Sequence, residues 1–288
     1  MERILLKENK STYRLGIYEK AMPAQLTWEE KFTAAKEAGY DFVEMSIDET
    51  EAKMARLNWS EKEIEEVLSA AKKVGIGVES FCFSAQRKHP LGSGLEGAEE
   101  KAMEILYQAV QLAMKMGVRI IQLQGYDCYY NETTSFSTKE RFFRNLKKSV
   151  EYAAMYGVIL AMETMENDFM NTIEKAMYYV EEIQSPYLQV YPDIGNISNA
   201  TQYVCKDIRR GKGHIASAHL KETVPGKFRE IPYGTGQVDF PSAIATLYHQ
   251  GVRRFVAEFW YTGEENWKDI LLYNRNFLEK QFELAFQL

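Results

Sequence analysis

The sequence predicts a parallel (β/α)8 barrel, the TIM-barrel architecture, as a single domain spanning residues 1–288. Three observations carry that reading. A phrase made of an amphipathic segment, a glycine and a short apolar run recurs along the whole chain. Divided by eight, 288 residues give about 36 per repeat, room for one strand and one helix. Four of the apolar runs end on a side chain able to bind a cation.

In chain order, the phrase occurs as Glu37-Ala38-Gly39 before Phe42-Val43-Glu44, as Lys73-Val74-Gly75 before Ile76 to Glu79, and as Lys115-Met116-Gly117 before Val118 to Gln122. It recurs at Met155-Tyr156-Gly157, Gly211-Lys212-Gly213 and His249-Gln250-Gly251, with Ser185-Pro186 in the remaining slot. Glycine takes the left-handed backbone just past a helix end at little cost, so each instance marks a helix stop and a strand start. The strands are expected near 15–18, 42–46, 76–82, 118–124, 158–163, 188–193, 214–219 and 254–258. Thr27 to Glu30, Ser60 to Glu63 and Ser137 to Glu140 match the capping box and mark helix starts. Ala102, Ile105, Ala109, Leu112, Ala113 and Met116 share one face of the third helix. An open doubly wound sheet would carry a Gly-rich phosphate fingerprint after its first strand, and Gly16-Ile17-Tyr18-Glu19-Lys20 is not one. Residues 220–237 form the longest expected loop, placed to close over a site.

Composition narrows the function. A net charge of −6, with no Lys/Arg run longer than two residues, argues against a nucleic-acid partner. The three cysteines, Cys82, Cys128 and Cys205, lack paired or CxxC spacing, which suits a reducing cytoplasm. Met1 to Lys7 lack a leader-type apolar region, and no stretch reaches the length needed to span a membrane.

The strand ends carry the chemistry. Val158 to Glu163 ends on Glu163, Leu188 to Asp193 on Asp193, His214 to His219 on His219, and Arg254 to Glu258 on Glu258. In a parallel barrel these are neighbouring strands, and their C-terminal ends converge on the catalytic face. One such residue is an ordinary polar cap. Three carboxylates brought together repel unless a cation joins them, so the set points to one divalent metal, with zinc, manganese, cobalt or magnesium all compatible. Strands 1–4 also end in polar groups, Glu19 and Lys20, Glu44 and Ser46, Ser84 and Arg87, and Gln124 with Tyr126, suited to the hydroxyls or phosphate of a ligand opposite the metal. Lys221 and Lys227 are candidates for an anionic group. Gly234-Thr235-Gly236 is either a phosphate cradle or a plain turn. His89, His214 and His249 receive no functional role.

GIYEK (16–20), FVEMSIDET (42–50), IQLQGYD (121–127), LAMET (160–164), YPDIGNIS (191–198), AHLKET (218–223) and PYGTGQVDF (232–240) together resemble the L-ribulose-5-phosphate (L-xylulose-5-phosphate) 3-epimerase family, one of the xylose isomerase-like barrels. Thr164, the stretch from Glu166 to Asp168, and Glu222 depart from the family pattern. The resemblance implies a divalent metal, zinc first among the candidates, on Glu163, Asp193, His219 and Glu258, and a cytoplasmic isomerase acting on a sugar phosphate in ascorbate or pentose catabolism. Epimerisation beside a ketone needs a proton removed from one face and returned to the other, and Glu163 and Glu258 are the expected pair. Lys221, Lys227, Arg87, Glu19, Lys20, Gln124 and Tyr126 are the expected substrate contacts. Competing readings are a ketose–aldose isomerase, an epimerase of a free sugar, and a non-catalytic sugar-binding barrel. Aromatic residues on outer helices, Tyr178, Tyr179, Phe277, Phe282 and Phe286, suit either a homodimer or packing within one barrel.

Overall fold

The computed structural model describes residues 13–288, so the reading of Met1 to Lys7 lies outside the described residues. Eight strands, β1 (Arg14–Tyr18), β2 (Phe42–Ile47), β3 (Val78–Phe83), β4 (Ile120–Gln124), β5 (Ile159–Glu163), β6 (Leu188–Tyr191), β7 (Ala218–Leu220) and β8 (Arg254–Ala257), run parallel. Between and after them lie α1 (Trp28–Glu37), α2 (Glu51–Met54), α3 (Glu61–Val74), α4 (Ala98–Met116), α5 (Phe136–Met155), α6 (Ile173–Ile183), α7 (Ile194–Ala200), α8 (Val204–Arg210), α9 (Phe240–His249) and α10 (Trp267–Ala285).

The strand ladder runs β6-β5-β4-β3-β2-β1-β8-β7. Two single bridges, Val190 with Ile215 and Asp193 with His219, then join β6 to β7 and close the barrel. The seam is thin because Pro192 has no N–H to donate; its carbonyl accepts from His219 N at 2.8 Å. Here the expected strand 214–219 is corrected to Ala218–Leu220, with only an isolated bridge at Ile215 before it.

Alternation sorts the side chains. Leu15, Ile17, Val43, Met45, Ile47, Phe81, Phe83, Ile121, Leu123, Leu160 and Met162 belong to the large core beneath the helices. Their neighbours in sequence face the barrel interior, where Tyr18, Phe42, Cys82 and Val256 form one small cluster and Ile120, Ala161 and Tyr191 another. Phe42 requires a glycine beside it: a Cβ on Gly16 would lie 2.3 Å from the Phe42 ring. Below Phe42, Arg14 and Arg254 both pair with Glu79 and lie over the ring at 5.8 and 5.2 Å, closing the N-terminal end. Glu79 reaches that position because a register shift places Val43 opposite Val78 but Glu44 opposite Ser80.

The capping boxes at Thr27/Glu30 and Ser60/Glu63 form as expected. The third is displaced. Helix α5 starts two residues earlier, with Ser135 as its cap and Thr138 closing the box, because Thr138 is buried and its hydroxyl also donates to Asp127 at 2.6 Å. Helix α3 stops at a left-handed Gly75, and α6, which lacks the glycine, ends on Gln184 forced to φ 53°.

Candidate metal centre

Glu163 is the last residue of β5, Asp193 follows β6, His219 lies in β7, and Glu258 follows β8. Closure of the barrel brings one ligating atom from each within 4.8 Å of all the others, and all four residues are buried. His219 Nδ1 is 2.8 Å from Glu163 Oε1 and 3.2 Å from Glu258 Oε2. Asp193 caps α7 through Oδ1, which accepts from Asn196 N at 2.9 Å, so the helix it begins also aims the carboxylate. Thr164 holds the same residue from behind: its hydroxyl accepts from Asp193 N at 2.9 Å, and its carbonyl accepts from Asn196 Nδ2 at 2.8 Å. Thr164 thus braces the site.

Lys221 enters the cluster itself, its ammonium 2.6 Å from Asp193 Oδ2 and 3.6 Å from Glu258 Oε2. Both oxygens are buried, and apart from these ion pairs with Lys221 and His219 they have no partner among the described residues. The donor set of three carboxylates and one imidazole fits a divalent cation of borderline or hard character. The electrostatics agree. Burial raises the carboxyl of Glu163 and pushes that of Asp193 up to about 8. Burial acts on Glu258 in the same direction, but Lys221 and His219 more than offset it and hold its carboxyl well below the usual range.

Beneath the quartet lies a polar layer of which sequence reasoning named only Glu44, and that as a ligand contact rather than a partner of His219. Gln122 donates from Nε2 to Glu163 Oε2, and Glu44 Oε1 lies 2.6 Å from His219 Nε2. Glu44 Oε2 accepts from Ser80 Oγ and Tyr191 OH, both at 2.7 Å. Gln122 and Tyr191 stand two positions before the strand-end residues Gln124 and Asp193, and that inward-facing period was the available signal.

The other candidates divide. Arg87, Gln124 and Tyr126 meet in one wall: Arg87 donates to Gln124 Oε1 at 3.0 Å and lies over the Tyr126 and Tyr129 rings at 5.9 and 5.5 Å. Tyr126 OH donates to Glu166 Oε1 at 3.0 Å, and Arg229, absent from the sequence-based set, reaches the same oxygen at 3.2 Å. Lys20 pairs with Asp48 at 2.5 Å. Lys227 is exposed on a turn whose backbone pairs with Val224. Glu19 is a correction. It is buried, and its two oxygens are filled by Lys31, Lys53, Arg56 and the amide of Ser46, which leaves no lone pair for a ligand. Gly234-Thr235-Gly236 resolves as a turn, because the Glu222 carboxylate accepts from the amides of Gly234 and Val238, each at 3.1 Å.

The family model described as "Xylose isomerase-like TIM barrel" matches residues 32–281. L-ribulose-5-phosphate 3-epimerase of Salmonella paratyphi C is 44% identical over 253 residues, covering 88% of this chain and 89% of the relative. The chain belongs to the L-ribulose-5-phosphate 3-epimerase family of xylose isomerase-like TIM barrels. Among solved structures, D-allulose 3-epimerase from Methylomonas sp. superposes with a TM-score of 0.78 at 15% identity, covering 95% of this chain and 98% of that one. A protein described as L-ribulose 3-epimerase gives 0.76 at 20% identity, with 96% of each chain covered. At those identities the likeness is one of fold. The curated relatives of this epimerase family are isomerase-class enzymes. No helix among the described residues is long and apolar enough to cross a membrane.

Proposed function

We propose that this protein is a metal-dependent epimerase that interconverts L-ribulose 5-phosphate and L-xylulose 5-phosphate at carbon 3. The observation that carries the reading is the pair of buried glutamates, Glu163 and Glu258, both within 3.2 Å of one imidazole nitrogen in a chain 44% identical to a protein of that name. Glu163, Asp193, His219 and Glu258 would hold one divalent ion, zinc first and manganese, cobalt or magnesium as alternatives. When bound, the ion polarises the ketone oxygen and neighbouring hydroxyl, stabilising the negative charge that develops on proton loss.

The remaining work belongs to side chains of this chain. One glutamate takes the proton from carbon 3, leaving its electron pair in the enediolate, and the other returns a proton to the opposite face, so no oxidant or reductant is needed. Gln122 and Lys221 hold the two carboxylates in separate orientations, Gln122 from behind Glu163 and Lys221 beside Glu258. Arg87, Gln124 and Tyr126, with Lys20 and Lys227 at the rim, are assigned to the sugar and its phosphate. We assign the activity to a single TIM-barrel domain spanning 1–288, acting in the cytoplasm in ascorbate or pentose catabolism, and capable of forming a homodimer.

The test is turnover of L-ribulose 5-phosphate beside L-ribulose, with products identified, and deuterium wash-in from heavy water run on each epimer. Glu163→Gln and Glu258→Gln, with metal content verified, should each stop epimerisation while one retains exchange of one epimer and the other of its partner. An aldose product would make the protein a ketose–aldose isomerase. Equal turnover of the free ketose would remove the phosphate from the reading. Absence of turnover with metal bound would leave a binding barrel.

A further inference from the structure

Among the described residues, Glu44 is the one acidic side chain in the barrel interior that contacts the quartet and is not a member of it. It is fully buried, and among the described residues no lysine or arginine pairs with it; its only ion-pair neighbour is His219. Glu19 is filled by three cations and Glu79 by two arginines, whereas the donors that anchor Glu44 are neutral hydroxyls, Ser80 on β3 and Tyr191 on β6. Those hydroxyls occupy Oε2 and leave Oε1 for the imidazole. The ring is bounded on a second side by Tyr191, whose centroid lies 4.7 Å away at 63°.

We propose that Glu44 is a positioning residue of the metal centre, holding His219 with its Nε2–H on the Glu44 carboxylate and its Nδ1 aimed at Glu163, Asp193 and Glu258. The reasoning is a count of donors and acceptors. An ionised carboxylate only accepts, so the nitrogen facing Glu44 must carry a hydrogen. In the metal-loaded centre the imidazole is neutral with one N–H, and its other nitrogen then presents its lone pair to the space shared with Glu163 and Glu258. That arrangement is repulsive until a cation stands between the three groups, and it makes Nδ1 the ligand atom. A carboxylate behind a ligating histidine also raises the basicity of the ring, and loss of such a partner typically weakens metal binding about 10- to 100-fold. Because Ser80, Tyr191 and Glu44 come from three different strands, closure of the barrel presets the ring before any metal arrives.

This inference rests on the metal-dependent reading above, and its test separates the two. Zinc dissociation constants are measured by competition with a chelator dye for the intact protein, Glu44→Gln and Glu44→Leu. Affinity should fall in that order, by up to about 100-fold for Leu, because Gln retains an acceptor for Nε2–H and Leu does not. The second readout is the ring N–H region of the nitrogen-15 spectrum of the zinc-loaded protein, in which only four histidines contribute. A hydrogen-bonded Nε2–H of His219 is expected in the wild type, moved in Gln and exchanging with solvent in Leu. If Leu fails to fold, Tyr191→Phe combined with Glu44→Gln takes its place. Zinc affinity within twofold of wild type in the folded variants, or an unmoved His219 signal, would overturn the role of Glu44 and leave the metal reading standing. A wild type that binds no zinc would overturn both.

Discussion

Replacing Glu19 by Gln isolates what the buried cation cage contributes. In the wild type, Glu19 accepts from Lys31 and Lys53 at 2.6 Å each, from both terminal nitrogens of Arg56 at 2.5 and 2.8 Å, and from Ser46 N at 2.9 Å. Gln preserves the volume and one acceptor but leaves three cations facing each other, two of them with side chains less than 10% exposed. Removing one partner of a buried ion pair costs about 3–5 kcal/mol; Lys53, at 14% exposure, can swing outward, so the lower end, about 3 kcal/mol, is expected. At roughly 2–4 °C per kcal/mol for a chain approaching this size, Tm should drop by roughly 10 °C. The pH dependence follows. Burial alone would raise the Glu19 carboxyl, but Arg56, Lys53 and Lys31 hold it well below its ordinary value of 4.5. The contribution is therefore complete above pH 4.5 and is lost as pH falls below that toward the depressed folded-state value. Urea titrations of both proteins at pH 7 and at several values below 4.5 measure the gap, which should narrow as the solution is acidified. A gap under about 1 kcal/mol at pH 7, or one indifferent to pH, would refute the cage and return Glu19 to the substrate wall.

Asp193→Asn and His219→Ala should each lose bound metal and turnover together, read by elemental analysis against about one ion per chain in the wild type. Arg87→Met should raise KM for the phosphate ester about tenfold or more with a smaller change in kcat, since a remote anionic contact contributes mainly uniform binding; an equal effect on free ketose would count against a phosphate contact. Gly16→Ala should destabilise the fold by about 1–3 kcal/mol, because its methyl would stand 2.3 Å from the Phe42 ring; a combined Phe42→Leu change should recover part of the loss in thermal melts.

What the sequence determined by itself is what neighbouring residues decide among themselves. Gly75 and Gly117 end helices because the left-handed backbone is a property of one residue, and Thr27 and Ser60 begin them because a capping box closes over three. Repeated in order, those local signals specify eight strands, and strands of one architecture deliver Glu163, Asp193, His219 and Glu258 to one face. Side-chain partners across the chain were decided only by tertiary structure. Glu19 lies on a legible strand end, yet its cations come from 12, 34 and 37 positions away and convert it from a ligand contact into a structural hub. Glu222 takes the amides of the Gly234 turn, and Thr138 moves the start of α5 because Asp127 is waiting for its hydroxyl. Glu44 and His219 are 175 residues apart, and no local pattern couples them. Their contact exists because the strand period turns both side chains inward and barrel closure sets the distance between them, a length that belongs to the assembled sheet and to no segment of it.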